Sequence, residues 1–142
     1  MQNYLLRYFN QVPRIGVLAT ANREGKVNAA HFGSPFMTDP ETVVMGLGEN
    51  RTLHYLQENP HAVFIIVQPG ETLPRWRGLR IYLEMKECSR SGELLEQVRS
   101  RIAEVAGQKT AKQIVAAVTF RVTEIRPLVD AGQGWEEVVK DI

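Results

Sequence analysis

The chain has 142 residues, 44% of them hydrophobic, and its 17 basic and 16 acidic side chains leave a formal net charge of +1. That length suits one domain with an ordinary core, and near-neutral charge gives no footprint of a general nucleic-acid or membrane-surface binder. The single cysteine, Cys88, excludes an intrachain disulfide and any CxxC metal or redox motif.

The opening NYLLRYFNQ lacks the apolar centre of a signal peptide, and no apolar run reaches transmembrane length. The expectation is a soluble, cytoplasmic protein, a single domain over 1–142 with its core at about 12–128 and a tail at 129–142. Leu5, Leu6 and Phe9 recur at helical spacing and predict a short amphipathic helix over 3–11, closed by Pro13. Arg14–Thr20, rich in β-branched and small residues, reads as a strand. The turn ANREGK puts Gly25 where φ is positive.

Lys26–Met37 (KVNAAHFGSPFM) reads as one long strand. Val27, Ala29, His31 and Gly33 share one face; Asn28, Ala30, Phe32 and Ser34 share the other. Such small residues in a strand point to close approach by another backbone or by a flat ligand. Asp39-Pro40 marks a turn, and TVVMGLG is the next strand. A helix beginning near Arg51 must stop by Asn59, because a residue before proline is pushed out of the α region.

HAVFIIVQ has strand length and is expected to be buried on both faces. PGETLPRWRG is a loop, and LRIYLEMKECS a strand with Leu79, Ile81, Leu83 and Met85 alternating against Arg80, Tyr82, Glu84 and Lys86. SGELLEQVRSRIAEVAG is a longer helix with Ser91 as N-cap, an apolar stripe of Leu94, Leu95, Val98, Ile102 and Val105, and Gly107 at its end. KTAKQIV is ambiguous, AAVTFRVTEIRPL is the last strand, and the glycine-broken tail carries Trp135. Six strands and two or three helices, joined mostly by short turns, predict a small α+β barrel.

Most chemical motifs are missing. His31, His54 and His61 have no metal-ligand spacing, no GxSxG occurs, and Cys88 has no patterned partner. Gly46-Leu47-Gly48 follows a strand but matches neither GxGxxG nor a P-loop. Arg75, Arg77 and Arg80 form the densest basic patch, which reads as a solvated loop before a ligand site, with Trp76 free to stack or to cap the barrel. The pair Arg51-Thr52 stands out. A helix start offers unpaired N–H groups and the positive end of the macrodipole, and an arginine and a hydroxyl add donors, so this is a candidate phosphate seat. An exposed arginine beside a threonine cap is the plainer alternative. No residue is marked as a general acid or base.

The ordered set GVLAT, KVNAAHFGSPFM, TVVMGLG, Arg51-Thr52, ENP, HAVFIIV, GLRIYLEMKE and VTFRVTEIRPL resembles the pyridoxamine 5′-phosphate oxidase-like superfamily of FMN-binding split barrels, over roughly residues 12–128. It is most similar to the small stand-alone FMN-binding proteins and the nitroimidazole-resistance type flavoproteins; the C-terminal substrate signature of true pyridoxamine phosphate oxidases is not recognisable. The resemblance implies a six-stranded antiparallel split β-barrel with two or three flanking helices and a homodimer with FMN at its interface. It implies that Arg51 and Thr52 hold the phosphate, that Asn28, Ala29, Ala30 and His31 lie along the flavin edge, and that Gly46, Leu47 and Gly48 pass near the ribityl chain. Small side chains at Ala29 and Ala30 would let the ring approach the backbone. Further phosphate cations are sought among Arg14, Lys26 and Arg80, and the Trp135 tail either crosses the dimer to cover the flavin or packs on its own subunit. The implied function is an oxidoreductase passing electrons from a reduced nicotinamide through FMN to a small acceptor. A non-catalytic FMN-binding or electron-transfer module, or a barrel holding haem or a deazaflavin, are the alternatives.

Overall fold

The computed structural model describes residues 2–140. Helix α1 (Gln2–Phe9) leads into β1 (Ile15–Ala21), β2 (Val27–His31), β3 (Phe36–Asp39) and β4 (Thr42–Leu47). After α2 (Arg51–Glu58) come β5 (His61–Gln68), a 3-10 turn at Leu73–Arg75, β6 (Arg77–Ser89), α3 (Glu93–Ala106), α4 (Gln108–Lys112), β7 (Ala116–Pro127) and α5 (Glu136–Val139). All pairings are antiparallel, in one sheet of order β2-β1-β5-β6-β7-β4-β3. No helix is long and apolar enough to cross a membrane.

The sheet has seven strands among the described residues, not the six expected, because Lys26–Met37 is two strands. Pro35 brings no amide to a ladder, and Phe32–Pro35 leaves one edge of the sheet and arrives at the other. The Phe32 amide still donates to Gly16 O on β1 (3.0 Å), while the Ser34 hydroxyl donates to Gly46 O on β4 (3.2 Å). The two edges are thus joined by a single crossing. At the β3 edge, the Asn10 side chain donates to Met37 O (2.9 Å) and accepts from Met37 N (2.8 Å), standing in for a neighbouring strand.

Five α-helices among the described residues replace the two or three expected. The ambiguous KTAKQIV stretch contributes to α4, and the tail forms α5 against α1 and β6. Ser91 does not cap α3; Gly92, at φ +100°, turns the chain just before Glu93 and no side chain caps that end. Gly107, at φ +90°, ends the helix as its sequence position suggested, its amide donating to Ala103 O (3.0 Å). Gly25, at φ +87°, closes the first hairpin, with Asn22 Oδ1 accepting from the amides of Glu24 and Lys26.

Inside the curled sheet, Leu18, Met45, Leu47, Phe64, Ile81 and Phe120 form the main core. The β5 strand is not buried on both faces. Ala62, Phe64 and Ile66 are buried, whereas Val63, Ile65 and Val67 are half-buried on the outside, where no helix of the described residues packs closely on the strand. The outer face of β4 and β7 is covered instead by α3, which builds a second, smaller core from Leu95, Ile102, Ala111, Ile114 and Ala117. Gly46 and Ala117, paired across these strands, make its bed. A Cβ on Gly46 would lie 2.8 to 2.9 Å from Ile102, Ile114 and Val98 side-chain tips.

The tightest backbone approach is at Gly78, where a Cβ would fall 1.9 Å from Ile66 O. Gly78→Ala is expected to cost about 3 kcal/mol in chemical denaturation, because a ladder must move; Gly46→Ala, which meets only side-chain ends, should cost about 1 kcal/mol.

Candidate functional site

Helix α2 is anchored by its inner side. Leu53 and Leu56 are fully buried, and Glu58 at the far end accepts from the Arg23 amide (3.1 Å). Asn50 caps the start in an extended conformation (φ −139°, ψ 178°), its Oδ1 accepting from Leu53 N (2.9 Å), and its carbonyl takes the first helical bond from His54 N (3.1 Å). The amides of Arg51 and Thr52 precede the first helical bond, and nothing else among the described residues accepts from them. Two orphan donors therefore point out of the helix start. The Arg51 side chain is exposed beside them and has no ion pair among the described residues. Thr52 is only 2% exposed, and its Oγ1 accepts from Asn28 Nδ2 (3.3 Å), which leaves the hydroxyl proton free to donate.

That bond brings α2 to β2, an edge strand paired only with β1. The Phe32 amide points to β1, so by alternation those of Ala30 and Asn28 do too. The amide and carbonyl groups of Ala29 and His31 face away from the sheet, beyond the edge. Ala29 and His31 also carry exposed side chains on the outer face, as the alternation of the sequence predicts. His31 Nε2 lies 3.5 Å from Arg14 O.

A charged cluster flanks the helix start. The Glu49 carboxylate takes Arg90 in a fork (2.8 and 3.3 Å) and His54 Nε2 at 2.7 Å. These bonds, Arg90 first and His54 second, hold the Glu49 carboxyl down at about 2. Glu49 is thereby neutralised beside a place suited to an anion. The described residues hold no group of three or more His, Cys, Asp or Glu side chains able to bind a metal ion.

The structure brings Asn28, Arg51 and Thr52 together, with Ala29, Ala30 and His31 following on the same edge strand. It gives other tasks to the rest. Leu47 points into the core and its carbonyl accepts from Val115 N (2.9 Å); Gly46 lies beneath α3; a Cβ on Gly48 would sit 3.2 Å from Gln113 O. Trp135 packs on the core of its own chain, beside α5. Of the candidate extra cations, Arg14 is spent on Phe9 O at the end of α1 and on Pro35 O of the crossing, Arg80 binds Pro127 O (3.0 Å) and Asp130 (3.2 Å), and Lys26 stays in its hairpin turn. Asn50 went unread although its spacing to Leu53 is a capping signal. Arg90, 41 residues from Glu49, leaves no trace in the sequence.

No family model and no curated protein matches the chain. Solved structures do. An FMN-binding protein from Syntrophomonas wolfei superposes with a TM-score of 0.75 at 21% identity, over 90% of this chain and 84% of that one. HutZ, the heme storage protein from Vibrio cholerae, gives 0.65 at 20% identity, over 93% and 96%. A putative pyridoxamine 5′-phosphate oxidase from Lactobacillus delbrueckii gives 0.64 at 12%, over 88% and 92%. At these identities the likeness shows the fold alone, one shared by proteins named for FMN binding, for heme storage and as a pyridoxamine 5′-phosphate oxidase.

The Glu49 carboxyl is expected to titrate at about 2 by NMR, against an ordinary value of 4.5. The sign follows from its lowered folded value: its stabilising contribution is complete above about 4.5 and is lost as pH falls towards 2. Arg90→Gln should return the midpoint most of the way to the ordinary value; an unmoved midpoint would show that the fork does not form.

Proposed function

We propose that this chain binds FMN, seats its phosphate at the start of α2, and works as a homodimeric FMN-dependent oxidoreductase. The observation that carries the reading is the pair of orphan amides at Arg51 and Thr52, beside the Arg51 guanidinium and the buried Thr52 hydroxyl. A phosphate dianion accepts from all of these, in the place where the helix dipole favours negative charge. Asn28 positions the hydroxyl from β2. The outward amides and carbonyls of Ala29 and His31 suit the polar edge of a flat ring, and the small Ala29 side chain leaves room for close approach. The fold likeness to an FMN-binding protein supports the same choice of cofactor.

When bound, FMN would supply the redox chemistry, accepting electrons from a reduced nicotinamide and passing them to a small acceptor. The protein's part is to hold the phosphate, orient the ring against β2 and keep water from one of its faces. The bare outer sheet face supports the dimer. Val17 and Ala19 pair with Ile65 and Val63 there, half-buried and apolar, while Arg80, Arg126, Glu124 and Asp130 form a charged margin. A second copy would cover the centre and complete a flavin pocket at its border.

Purified protein is expected to show a flavin spectrum and to release FMN on denaturation. Colourless protein that takes up haem or a deazaflavin, and not FMN, would overturn the cofactor. Arg51→Ala with Thr52→Val should weaken FMN binding about a hundredfold, since at least one charge-assisted bond and one further donor are lost; unchanged affinity would remove the seat. Anaerobic NADH or NADPH should bleach the bound flavin, and failure with both would leave a carrier in place of a reductase. Light scattering should report a dimer, and a monomer retaining FMN would contradict the interface pocket.

A further inference from the structure

We propose that the cavity between α1 and the paired ends of β1 and β5 is a second ligand site, built for a small apolar carboxylate. The cavity is about 360 Å3, and Pro13, Ile15, Ile66 and Val67 give it apolar walls. Four polar side chains also line it, Tyr8, Gln11, Arg14 and Gln68, and two of them carry a buried donor atom with no partner among the described residues: the Tyr8 hydroxyl and Arg14 Nε.

Tyr8 is 2% exposed. Burial pushes its phenol up to about 12, against a smaller opposing pull from Arg77. The group is therefore an O–H donor at every physiological pH. Arg14 is the more unusual of the two. Its Nη1 donates to Phe9 O (2.7 Å) and its Nη2 to Pro35 O, and its guanidinium lies 5.1 and 5.2 Å from the Phe9 and Phe64 ring centres. No carboxylate among the described residues pairs with it, and burial lowers its pKa to about 10. A half-buried cation without an anion, and a buried hydroxyl without an acceptor, are both costly, and both residues line one cavity. A carboxylate satisfies both, one oxygen accepting from each donor, while its apolar body fills the walls. Neither donor atom touches solvent in the free chain, so binding requires Tyr8 to shift towards the ligand and Nε to be uncovered while Arg14 keeps its bonds to Phe9 O and Pro35 O.

This place is apart from the phosphate seat at α2, although His31, at the far end of the proposed flavin edge, lies 3.5 Å from Arg14 O. Asn28, which meets Thr52, pairs with Thr20 at one end of β1, and Ile15 is at the other end, about 16 Å along the strand.

Benzoate is the probe, titrated calorimetrically into the protein as purified, with the neutral isostere benzamide beside it. Saturable binding of one benzoate per chain is expected, with benzamide about tenfold weaker or more. Tyr8→Phe deletes an oxygen that bonds to nothing in the free chain, so it should leave the Tm unchanged or raised while weakening benzoate about tenfold. Arg14→Lys keeps the charge and loses the Nε donor, and should weaken benzoate as well; if that variant does not fold, Tyr8→Phe decides alone. Absence of saturable benzoate binding, equal affinity for benzamide, or an unchanged benzoate affinity in Tyr8→Phe would overturn the proposal. So would competition between benzoate and FMN, which would assign the cavity to the flavin. The benzoate titration reads the same whether or not FMN binds, so either reading can fail without the other.

Discussion

The molecule depends on one four-residue crossing. Phe32–Pro35 carries the chain from the free edge of β2 to the free edge of β3, and so bends a seven-stranded sheet back on itself. Arg14 holds it. From the start of β1, its guanidinium reaches the last carbonyl of α1 and the carbonyl of Pro35, sandwiched against Phe9 and Phe64. Burying that cation costs free energy, offset by charge-assisted bonds and two ring faces. With the crossing fixed, β2 stands beside the helix that β4 delivers. Asn28 then meets Thr52 across 24 residues of sequence.

The two outer faces of the sheet are treated differently, and the side chains say why. On β4 and β7 the paired residues Gly46 and Ala117 are small enough for a helix to lie flat on them. On β1 and β5 the matching positions are Val17, Ala19, Val63 and Ile65, of which Val17, Val63 and Ile65 project too far for such close packing, and all four remain half-exposed. One face is finished within the chain. The other presents an apolar centre inside a border of ion pairs.

Much of this was legible in the residues. The alternation of Leu79, Ile81, Leu83 and Met85 placed β6, Asn59-Pro60 ended α2, and the period of two put Ala29 and His31 on one side of β2. The division of Lys26–Met37 was legible in part: the alternation continues through Phe32 and Ser34, but Gly33 and Pro35 interrupt a ladder. Where β2 and β3 find their separate partners is set by distant segments. The same holds for Arg90: a surface arginine after a strand has no mark until folding sets it against Glu49. Ser91 misled for a local reason, since a glycine at positive φ can turn a chain into a helix without a side-chain cap. Leu47 and Gly46 were read by position along the chain, while their packing was set by helix α3 and the strand partner β7.

The second core is small, and its size bears on motion. Helices α3 and α4 rest on a cluster separate from the barrel interior, tied to the sheet by apolar contacts and by Arg101 over the Phe36 ring, while Arg99 donates to Ile114 O, ahead of β7, at 3.0 and 2.7 Å. Local opening costs what the opened unit buries, so this pair can lift away for less free energy than the barrel needs to unfold. Its amides would then exchange with solvent hydrogen ahead of those in β5 and β6. Lifting uncovers the outside of β4, the strand that runs into Gly48, Glu49 and the start of α2. The candidate anion seat therefore adjoins a segment that can open locally, on a frame that stays closed.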